Sequence, residues 1–560
     1  MSIYTIAGLT PGSWVVFAIT LVFITNQHEK VTGQLFYNAF LHPLSNVPGP
    51  FLARISGLPS WYYAMRGDRH IWLWQLFQIY GKMADDMSGL RLTAPGPKIR
   101  ITPNTVLFRD PAAYRDIYNQ KANVQKAPFY KAWQKDKDDV NTFTTRDKKV
   151  HARRRKMLNQ SFTEPSLRAS QPFIIKHVDR CDELLVAEND DGQWSKPVNF
   201  ADLSDTLVFD IMGDLCFGTS FDIKEPGENP FKSIPHAVVQ YMQFFYPLTR
   251  SPMLDLILWL KPRGLDTLFK TITPPHIKNY IRFVQSCVTK RLALYQEQKE
   301  KAMSDQRQDM FWFLCDAKDE AGRPAYSDSE LYAEANMLIV GGTDTTSVTL
   351  AALMFYITRD ATRLHKLVHE IRSKFLSPED IVYGPELTSC VYLRACIDES
   401  MRLSPSGPSE LPRQVLKGGA MINGDFYPEG TIVGASGWAT GHNDEFYGDS
   451  EVFRPERWTP DESTGVTQEY VNILRANFHP FAQGPGSCPG KNIPILELSI
   501  TVARTLHILE VRKPPTGENS LGQGIPTAGW GKRNQNIFQL QDSYISVRNG
   551  PIVQFRRRVT

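Results

Sequence analysis

The amino-acid sequence predicts a mainly α-helical protein with small β-sheets. A capping box of Ser327 and Glu330 opens a long helical segment that continues to about Thr358. An amphipathic segment from Lys491 to Leu509 predicts a second helix. Strand-like alternation is confined to short runs such as Lys98 to Thr102, and no internal repeat or low-complexity tract is present.

The composition is that of an ordinary globular protein, with 560 residues, 42% apolar and 22% charged. Length alone suggests several domains. A net charge of +4 gives no indication of nucleic-acid binding. The seven cysteines are scattered and form no Cys-x-x-Cys pair, which favours reduced thiols facing the cytosol over a disulfide framework.

Residues 1–28 predict an N-terminal membrane anchor, because they carry no formal charge and have an apolar centre from Trp14 to Thr25. Such a segment has about the 20 residues that span a bilayer. A cleaved signal peptide would need a basic start, and an interfacial helix would need a charged face. Lys30 and Arg54 place the following chain on the cytoplasmic side.

Residues 29–60 predict a proline-rich hinge, since the segment His42 to Pro50 contains three prolines and is unsuited to helix. The aromatic-rich stretch from Trp61 to Tyr80 is expected to be helical. Further along, Asn199 to Phe217 predicts a buried helix. The very apolar stretch from Val238 to Leu260 is either core or an apolar entrance that lies on a membrane.

The glycine-rich loop from Phe481 to Gly490 presents Cys488 just before a helix. A helix N-terminus and its free amides stabilise a thiolate, so the pattern predicts a metal ligand. Glycine at 484 and 490 would let the backbone pass close to a flat macrocycle. The alternative is that Cys488 is a small buried apolar residue, which is the commoner role of a free cysteine.

The charge run from Arg146 to Lys156 has two faces when it is drawn as a helix. One face is half apolar and half cationic, which suits it to cover a buried anionic edge. That face contains His151, Arg155, Leu158 and Phe162. Lys149, Arg153 and Lys156 point outward and are expected to be solvated, where they could dock an acidic partner protein.

Two adjacent glycines, Gly341 and Gly342, interrupt the long helical segment and cost it roughly 1 kcal/mol each relative to alanine. One explanation is close packing of helices on small residues. The other is a local widening that leaves room for a small ligand beside Asp344 and Thr345.

Together these motifs resemble the cytochrome P450 family. Phe481, Gly484, Cys488 and Gly490 are similar to its haem-binding signature, and Gly341 to Thr346 is similar to its oxygen-activation motif. The sequence Pro455-Glu-Arg-Trp458 resembles a further family motif, which would join Arg457 to the helical pair Glu399 and Arg402 as a buried scaffold. One departure is Gly486, which stands where the family usually has an arginine.

The resemblance implies a fold in which haem b is buried between the oxygen-activating helix and the helix after the cysteine, within one catalytic domain at residues 61–560. Cys488 would ligate the iron, and His151, Arg155 and Arg413 would contact the propionates. Thr345 would hydrogen-bond dioxygen, and Asp344 would relay protons. With no arginine at 486, His151 and Arg155 would neutralise more of the propionate charge, and Gly486→Arg should be tolerated or should improve haem retention.

The implied function is that of a membrane-bound monooxygenase that inserts one oxygen atom from dioxygen into an apolar small molecule. Similarity to fungal microsomal members suggests hydroxylation of a terpenoid or polyketide in secondary metabolism. Electrons would come from NADPH-cytochrome P450 reductase, with the catalytic domain on the cytosolic side of the endoplasmic reticulum membrane. The alternatives are a haem-thiolate isomerase, dehydratase or peroxygenase, and a haem-binding protein without turnover.

Overall fold

The computed structural model describes residues 32–86, 98–134, 139–188, 192–300, 309–319, 321–517 and 519–558. The predicted membrane anchor at residues 1–28 lies outside the described residues. Within them the chain is mainly helical with small sheets, as the sequence predicts.

Helices make up most of the regular structure in the described residues. The α-helices before residue 320 are α1 (Phe51–Ile55), α2 (Leu58–Met65), α3 (Arg69–Asp86), α4 (Pro111–Tyr118), α5 (Phe129–Ala132), α6 (Lys148–Leu158), α7 (Glu164–Val186), α8 (Phe200–Phe217), α9 (Ile234–Thr249), α10 (Leu254–Leu260), α11 (Leu265–Ile272), α12 (Pro275–Lys299) and α13 (Met310–Asp316). Those that follow are α14 (Asp328–Ile357), α15 (Ala361–Lys374), α16 (Pro385–Thr388), α17 (Val391–Leu403), α18 (Gly437–Gly441), α19 (Asp444–Tyr447), α20 (Gln468–Asn477) and α21 (Asn492–Ile508).

The strands are short and form four small sheets. They are β1 (Lys98–Thr102), β2 (Thr105–Phe108), β3 (Val124–Lys126), β4 (Val198–Asn199), β5 (Arg413–Val415), β6 (Ala420–Ile422), β7 (Asp425–Tyr427), β8 (Ile432–Ala435), β9 (Leu509–Arg512), β10 (Gln541–Ser543), β11 (Ile545–Val547) and β12 (Ile552–Arg557). The largest sheet has the order β1-β2-β8-β5-β3, with β2 and β8 parallel and the other pairs antiparallel. Strands β4, β12 and β9 form a second sheet, and β6–β7 and β10–β11 are hairpins.

The predicted helix from Trp61 to Tyr80 is two helices, α2 and α3. Gly67 lies between them with φ +70°, a left-handed conformation that favours glycine and ends α2. Before α1, the proline segment is fixed against β1, since the amide of Arg100 donates to the carbonyl of Pro48 at 2.7 Å. The predicted hinge at residues 29–60 also contains α1 and the first turn of α2.

Helix α14 crosses the centre of the molecule and packs against α8, α17 and α21. Its capping box is confirmed, because the Ser327 side chain accepts from the amide of Glu330 and the Glu330 carboxylate accepts from the amide of Ser327. Among the described residues, α14 is the helix long and apolar enough to cross a membrane. Because 78% of its most apolar 18-residue window is buried inside the protein, α14 is a core helix.

Candidate active site

A cavity of about 500 Å³ lies between α14 and the loop that carries Cys488. This size is within the range of sites for small molecules and cofactors. The wall on one side contains Gly341, Gly342 and Thr345, and the loop side contains Phe481, Cys488 and Gly490. The first turn and a half of α21 completes the loop side with Ile493 and Glu497. The sequence therefore brings its two main motifs to one cavity.

The cysteine loop is held by its own backbone. The amide of Cys488 donates to the carbonyl of Phe481 at 2.8 Å, which folds the loop back on itself before α21 begins. Burial raises the pKa of the Cys488 thiol, while an amide hydrogen bond from Gly490 and the charges of Arg155 and Lys491 oppose that rise. A bound metal cation would favour the thiolate form of Cys488.

The two predicted loop glycines differ in where they lie. Gly484 does not line the cavity; it has φ +65°, and a β-carbon there would lie 2.0 Å from the carbonyl oxygen of Tyr118. Gly490 lines the cavity, but its β-carbon would meet the ring of Phe162 at 3.0 Å. Close approach to protein atoms therefore accounts for Gly484, whereas the expected role of Gly490 beside a macrocycle stays a prediction.

Helix α6 presents the expected face to the cavity. His151, Arg155, Leu158 and Phe162 all contribute to the wall, while Lys149, Arg153 and Lys156 are exposed. Arg155 donates to the Ser487 carbonyl, so it is anchored to the residue that precedes Cys488. The predicted face of this helix is thus confirmed.

Arg413 reaches the same edge of the cavity from β5. Its Nη1 atom donates to the Tyr130 hydroxyl at 3.0 Å, and its guanidinium lies 5.1 Å from the centre of the Tyr118 ring. A β-carbon on Gly486 would lie 2.6 Å from Nη2 of Arg413. The glycine in the loop therefore leaves the space that Arg413 occupies.

Lys126, which sequence reasoning missed, is a fourth basic group at this edge. It pairs with Arg413 across β3 and β5, and its Nζ atom donates to the carbonyls of Thr142 at 2.8 Å and Phe143 at 2.7 Å. No local pattern marks Lys126, because its position depends on strand pairing with a residue almost 300 positions away.

The electrostatics of this edge indicate an excess of positive charge. Burial lowers the pKa of Lys126 to about 7, and the charge of Arg413 adds to the effect. Burial, with Lys126, Arg155 and Arg413, lowers the pKa of His151 to about 3. Closely spaced buried cations of this kind are stabilised by anions.

The two glycines of α14 serve different purposes. A β-carbon on Gly341 would meet no atom within 4 Å, so this glycine leaves open space in the cavity. A β-carbon on Gly342 would lie 2.3 Å from Cε of Met212 on α8, so this glycine permits close helix packing. Both explanations offered by the sequence apply, one to each residue.

Thr345 and Asp344 face in different directions. Thr345 lines the cavity, and its hydroxyl donates to the carbonyl of Gly341 at 2.8 Å. Asp344 is not on the cavity wall; its side chain is buried on another face of α14. Burial raises the pKa of Asp344 to about 7, and the negative charge of Asp205 adds to the effect. The structure therefore brings Thr345, but not Asp344, to the cavity.

The predicted triad of Glu399, Arg402 and Arg457 is confirmed. Arg402 donates to both carboxylate oxygens of Glu399 at 2.8 Å, and Arg457 Nε donates to Oε1 at 3.0 Å. Trp458 adds an indole hydrogen bond to Oε2 at 2.9 Å, which the sequence did not indicate. All four residues are at most 1% exposed, so the cluster is part of the core, and Arg402 also borders the cavity.

Glu497 is a second cavity residue that sequence reasoning missed. It is 1% exposed, and its Oε1 atom has no hydrogen-bond partner among the described residues. Burial raises its pKa to about 8. The available signal was the single acidic residue in the segment from Ile493 to Ile508.

The apolar stretch from Val238 to Leu260 divides between core and surface. Tyr246 is fully buried, whereas Phe244, Leu256 and Trp259 are 52%, 44% and 55% exposed. Tyr241 and Met242 line the cavity from α9. This region therefore connects the cavity wall with an exposed apolar surface.

The residues around the cavity fit a haem. Cys488 is the cysteine that reaches the cavity wall in the described part of the chain, and thiolate is an established haem-iron ligand. The two propionates of a haem would supply negative charge beside Lys126, Arg155 and Arg413, and the same cations lower the pKa of His151 next to them.

Comparisons with known proteins agree with this site. The family model described as "Cytochrome P450" matches residues 66–525. Cytochrome P450 monooxygenase poxM of Penicillium oxalicum is 32% identical over 94% of this chain and 93% of its own length. Cytochrome P450 monooxygenase apf7 of Gibberella fujikuroi is 31% identical over 100% of both chains. Cytochrome P450 monooxygenase AKT7 of Alternaria alternata is 30% identical over 94% of this chain and 95% of its own length.

The family model covers most of the chain, and the relatives match along nearly their whole lengths. The match includes the Cys488 loop, the Gly341 to Thr346 segment and the Glu399 triad. The chain belongs to the cytochrome P450 family and is a haem-dependent monooxygenase.

Proposed function

We propose that this protein hydroxylates an apolar terpenoid or polyketide in fungal secondary metabolism, at the endoplasmic reticulum membrane, with electrons from NADPH-cytochrome P450 reductase. The observation that carries the proposal is the presence of Cys488 and Thr345 on the walls of one largely apolar cavity. The fungal origin of the monooxygenases to which this chain is similar supports the setting.

Each residue of the site has a proposed task. Cys488 binds the iron of haem b, and Lys126, Arg155 and Arg413 hold its propionates. The bound haem supplies dioxygen activation. Thr345 can accept a hydrogen bond at Oγ1 while its own proton is donated to Gly341. To pass a proton, Oγ1 would accept one and release its own, which requires the hydroxyl to turn away from the carbonyl of Gly341. His151 lies beside the proposed propionates, where burial and the neighbouring cations lower its pKa and the propionate charges would oppose that lowering.

The substrate is proposed to be apolar because of the cavity wall away from Cys488. This part of the wall is mainly aromatic and aliphatic, and it includes Trp133, Phe143, Tyr241, Met242, Met337, Val340, Tyr544 and Ile545. Burial of a hydrocarbon skeleton here is favourable by roughly 25 cal/mol per Å². Asn336 and Asn141 add a few polar contacts that could orient oxygen atoms of a terpenoid or polyketide.

Attachment to a lipid bilayer is supported by exposed apolar residues in two adjoining segments. The first segment covers residues 35–58 and the second covers residues 244–272. A β-carbon placed on Gly57 would lie 3.4 Å from Cβ of Pro252, so the two segments lie side by side. Their exposed apolar residues are Leu35, Phe36, Phe40, Leu41, Phe51, Leu52, Leu58, Phe244, Met253, Leu256, Trp259, Leu268 and Ile272. A patch of this kind on a soluble surface marks an interaction site.

Reductase docking is proposed on the outer face of α6. Lys149, Arg153 and Lys156 are exposed there, while the inner face of the same helix lines the cavity. Acidic partners are steered to such a surface by charge. Electrons that arrive there would cross only one helix before they reach the haem.

The test uses the full chain in lipid with the reductase. Carbon monoxide added to the reduced protein should give the red-shifted absorption of thiolate coordination, and Cys488→Ser should lose it. The control Cys315→Ser, at a partly exposed cysteine of α13, should keep it. Spectral titration with candidate terpenoids and polyketides should identify ligands, and product made under ¹⁸O₂ should carry one labelled oxygen.

Two results would contradict the proposal. Product that forms without NADPH, reductase or dioxygen would indicate an isomerase, dehydratase or peroxygenase. Label that enters from water would exclude oxygen insertion from dioxygen. Membrane attachment is tested separately by flotation with vesicles, where Trp259→Ser together with Leu256→Ser should reduce binding of a chain that lacks residues 1–28.

A further inference from the structure

The loop at residues 141–145 lies between α14 and the cationic edge of the cavity, and its first four residues line the cavity wall. It is attached to α14 at two adjacent residues. The side-chain amide of Asn141 donates to the carbonyl of Ala333 at 3.3 Å, and the hydroxyl of Thr142 donates to the Glu334 carboxylate at 2.7 Å. The conformation of this loop therefore depends on one turn of α14.

Glu334 holds the loop through a single carboxylate oxygen. Besides the Thr142 hydroxyl, its Oε1 atom accepts a hydrogen bond from the backbone amide of Thr142 at 2.8 Å. Arg154 of α6 donates to the same oxygen at 3.1 Å. Glu334 is fully buried and Thr142 is 5% exposed, so water does not compete for these bonds and they are stronger than they would be at the surface.

The carbonyl side of the same loop holds Lys126. The Nζ atom of Lys126 donates to the carbonyls of Thr142 at 2.8 Å and Phe143 at 2.7 Å. A lysine ammonium has three N–H donors, and within the part of the chain that the structure describes these two bonds are the ones it makes. One donor therefore remains for an anion in the cavity, which Lys126 lines.

We propose that Glu334 is a positioning residue for haem binding, because Thr142 joins it to Lys126. Glu334 fixes the amide and hydroxyl of Thr142, the carbonyl of the same residue fixes the ammonium of Lys126, and the third donor of that ammonium is then available to a propionate. Burial lowers the pKa of Lys126 to about 7, and the negative charge of Glu334 opposes this fall. The inference rests on the proposed contact between Lys126 and a haem propionate.

Glu330 provides a matched control, because it is the other carboxylate that binds Arg154. It lies one turn before Glu334 on α14, and its contacts among the described residues do not include Thr142. Glutamine is accepted at its position in the capping box, so Glu330→Gln should leave the start of α14 intact. A carboxylate that served only to pair with Arg154 would give the same result at either position.

The first experiment measures transfer of haem from the full chain to apomyoglobin. Lys126→Met should speed transfer roughly tenfold, because a charged hydrogen bond is lost. Glu334→Gln should speed it several-fold, and so should the milder Thr142→Val, which removes the hydroxyl bond without a change of charge. Glu334→Gln combined with Lys126→Met should be no faster than Lys126→Met alone.

Two results of this experiment would overturn the proposal, namely additive effects in the double variant and equal effects of Glu330→Gln and Glu334→Gln. An unchanged rate in Lys126→Met would instead refute the propionate contact of Lys126. Hydrogen exchange of the haem-loaded protein checks the loop itself, because the amide of Thr142 should exchange faster in Glu334→Gln than in Glu330→Gln.

The second experiment measures the reduction potential of the bound haem, on which the two ways that Glu334 could act have opposite signs. Removal of a nearby negative charge alone raises the potential, whereas loss of a cation from the propionates lowers it. We expect Glu334→Gln and Thr142→Val to lower the potential, as Lys126→Met does. With Lys126→Met already present, Glu334→Gln should raise the potential slightly or leave it unchanged. A rise with and without Lys126 would show that Glu334 acts by its own charge, and the positioning role would be wrong.

Discussion

Nη2 of Arg413 lies 2.6 Å from the position that a β-carbon on Gly486 would take. The same guanidinium is held by the Tyr130 hydroxyl and packs on the ring of Tyr118. The space beside the cysteine loop can therefore hold one guanidinium, supplied here by β5. This contact argues against the sequence-based expectation that an arginine at position 486 is tolerated or beneficial, which stays a prediction.

We predict that Gly486→Arg weakens haem retention, because the new side chain must displace Arg413 from Tyr130. Loss of one charged hydrogen-bond donor costs about 1.5–3 kcal/mol, so haem should pass to an acceptor such as apomyoglobin roughly ten to a hundred times faster. The double variant Gly486→Arg with Arg413→Ala removes the clash and should recover part of the loss. If the single variant keeps haem as well as the parent, the original expectation stands.

The packing of α14 on α8 gives a second prediction. Gly342→Ala places a methyl group against Met212 and should lower the free energy of unfolding by about 1–3 kcal/mol. In a double-mutant cycle with Met212→Ala, the coupling should be favourable by roughly 1 kcal/mol, because the shorter side chain relieves the contact. Chemical unfolding of the four proteins measures both quantities.

Gly341→Ala is the matched control, since its β-carbon would meet open space. It should stabilise the helix by about 0.5–1 kcal/mol while it narrows the cavity and weakens substrate binding. Equal destabilisation by Gly341→Ala and Gly342→Ala would contradict the separate roles assigned to the two glycines.

The parts of the fold that the sequence predicted are those with local signals. Capping residues and apolar periodicity marked α14, α21 and α8 to within one or two residues. The cavity-facing side of α6 followed from helical spacing alone. These features depend on residues no more than four positions apart, so one sequence contains enough information to find them.

The parts that were missed depend on distant partners. Gly484 is explained by the carbonyl of Tyr118, and Lys126 reaches the cavity through its pairing with Arg413. Arg154 lies in a run of exposed charges but is buried, where it pairs with Glu330 and Glu334 of α14. Periodicity within one segment cannot predict contacts between residues that are far apart in the sequence.

The buried triad gives a third prediction. Arg457→Met leaves Glu399 with less positive charge in a fully buried position, so the variant should lose about 3–5 kcal/mol of stability. Arg168→Met, on α7, removes a partner from the ion pair with Glu164, in which both side chains are more than half exposed. That control should cost no more than about 1 kcal/mol. If urea unfolding shows comparable losses of stability in the two variants, the triad of Glu399, Arg402 and Arg457 does not act as a buried scaffold.

Glu497 gives a prediction about pH. Burial raises its pKa to about 8 in the folded protein, whereas an unfolded chain has a glutamate pKa of about 4.3. Between these two pKa values the Glu497 carboxyl is protonated in the folded protein and ionised in the unfolded chain. This residue therefore makes the free energy of unfolding fall as pH rises through that window. Below about pH 4 both states are protonated, and the effect is absent.

Glu497→Gln removes the titrating group and keeps the size of the side chain. Its stability relative to the parent should therefore increase from pH 5 to pH 8, by at most about 1.4 kcal/mol per pH unit, because one proton is involved. Urea unfolding at pH 5, 6, 7 and 8 measures this difference. Glu469→Gln, at an exposed position on α20, should run parallel to the parent at every pH. A constant difference between Glu497→Gln and the parent would mean that Glu497 is ionised in the folded protein, with its carboxylate stabilised by water or by a cation inside the cavity.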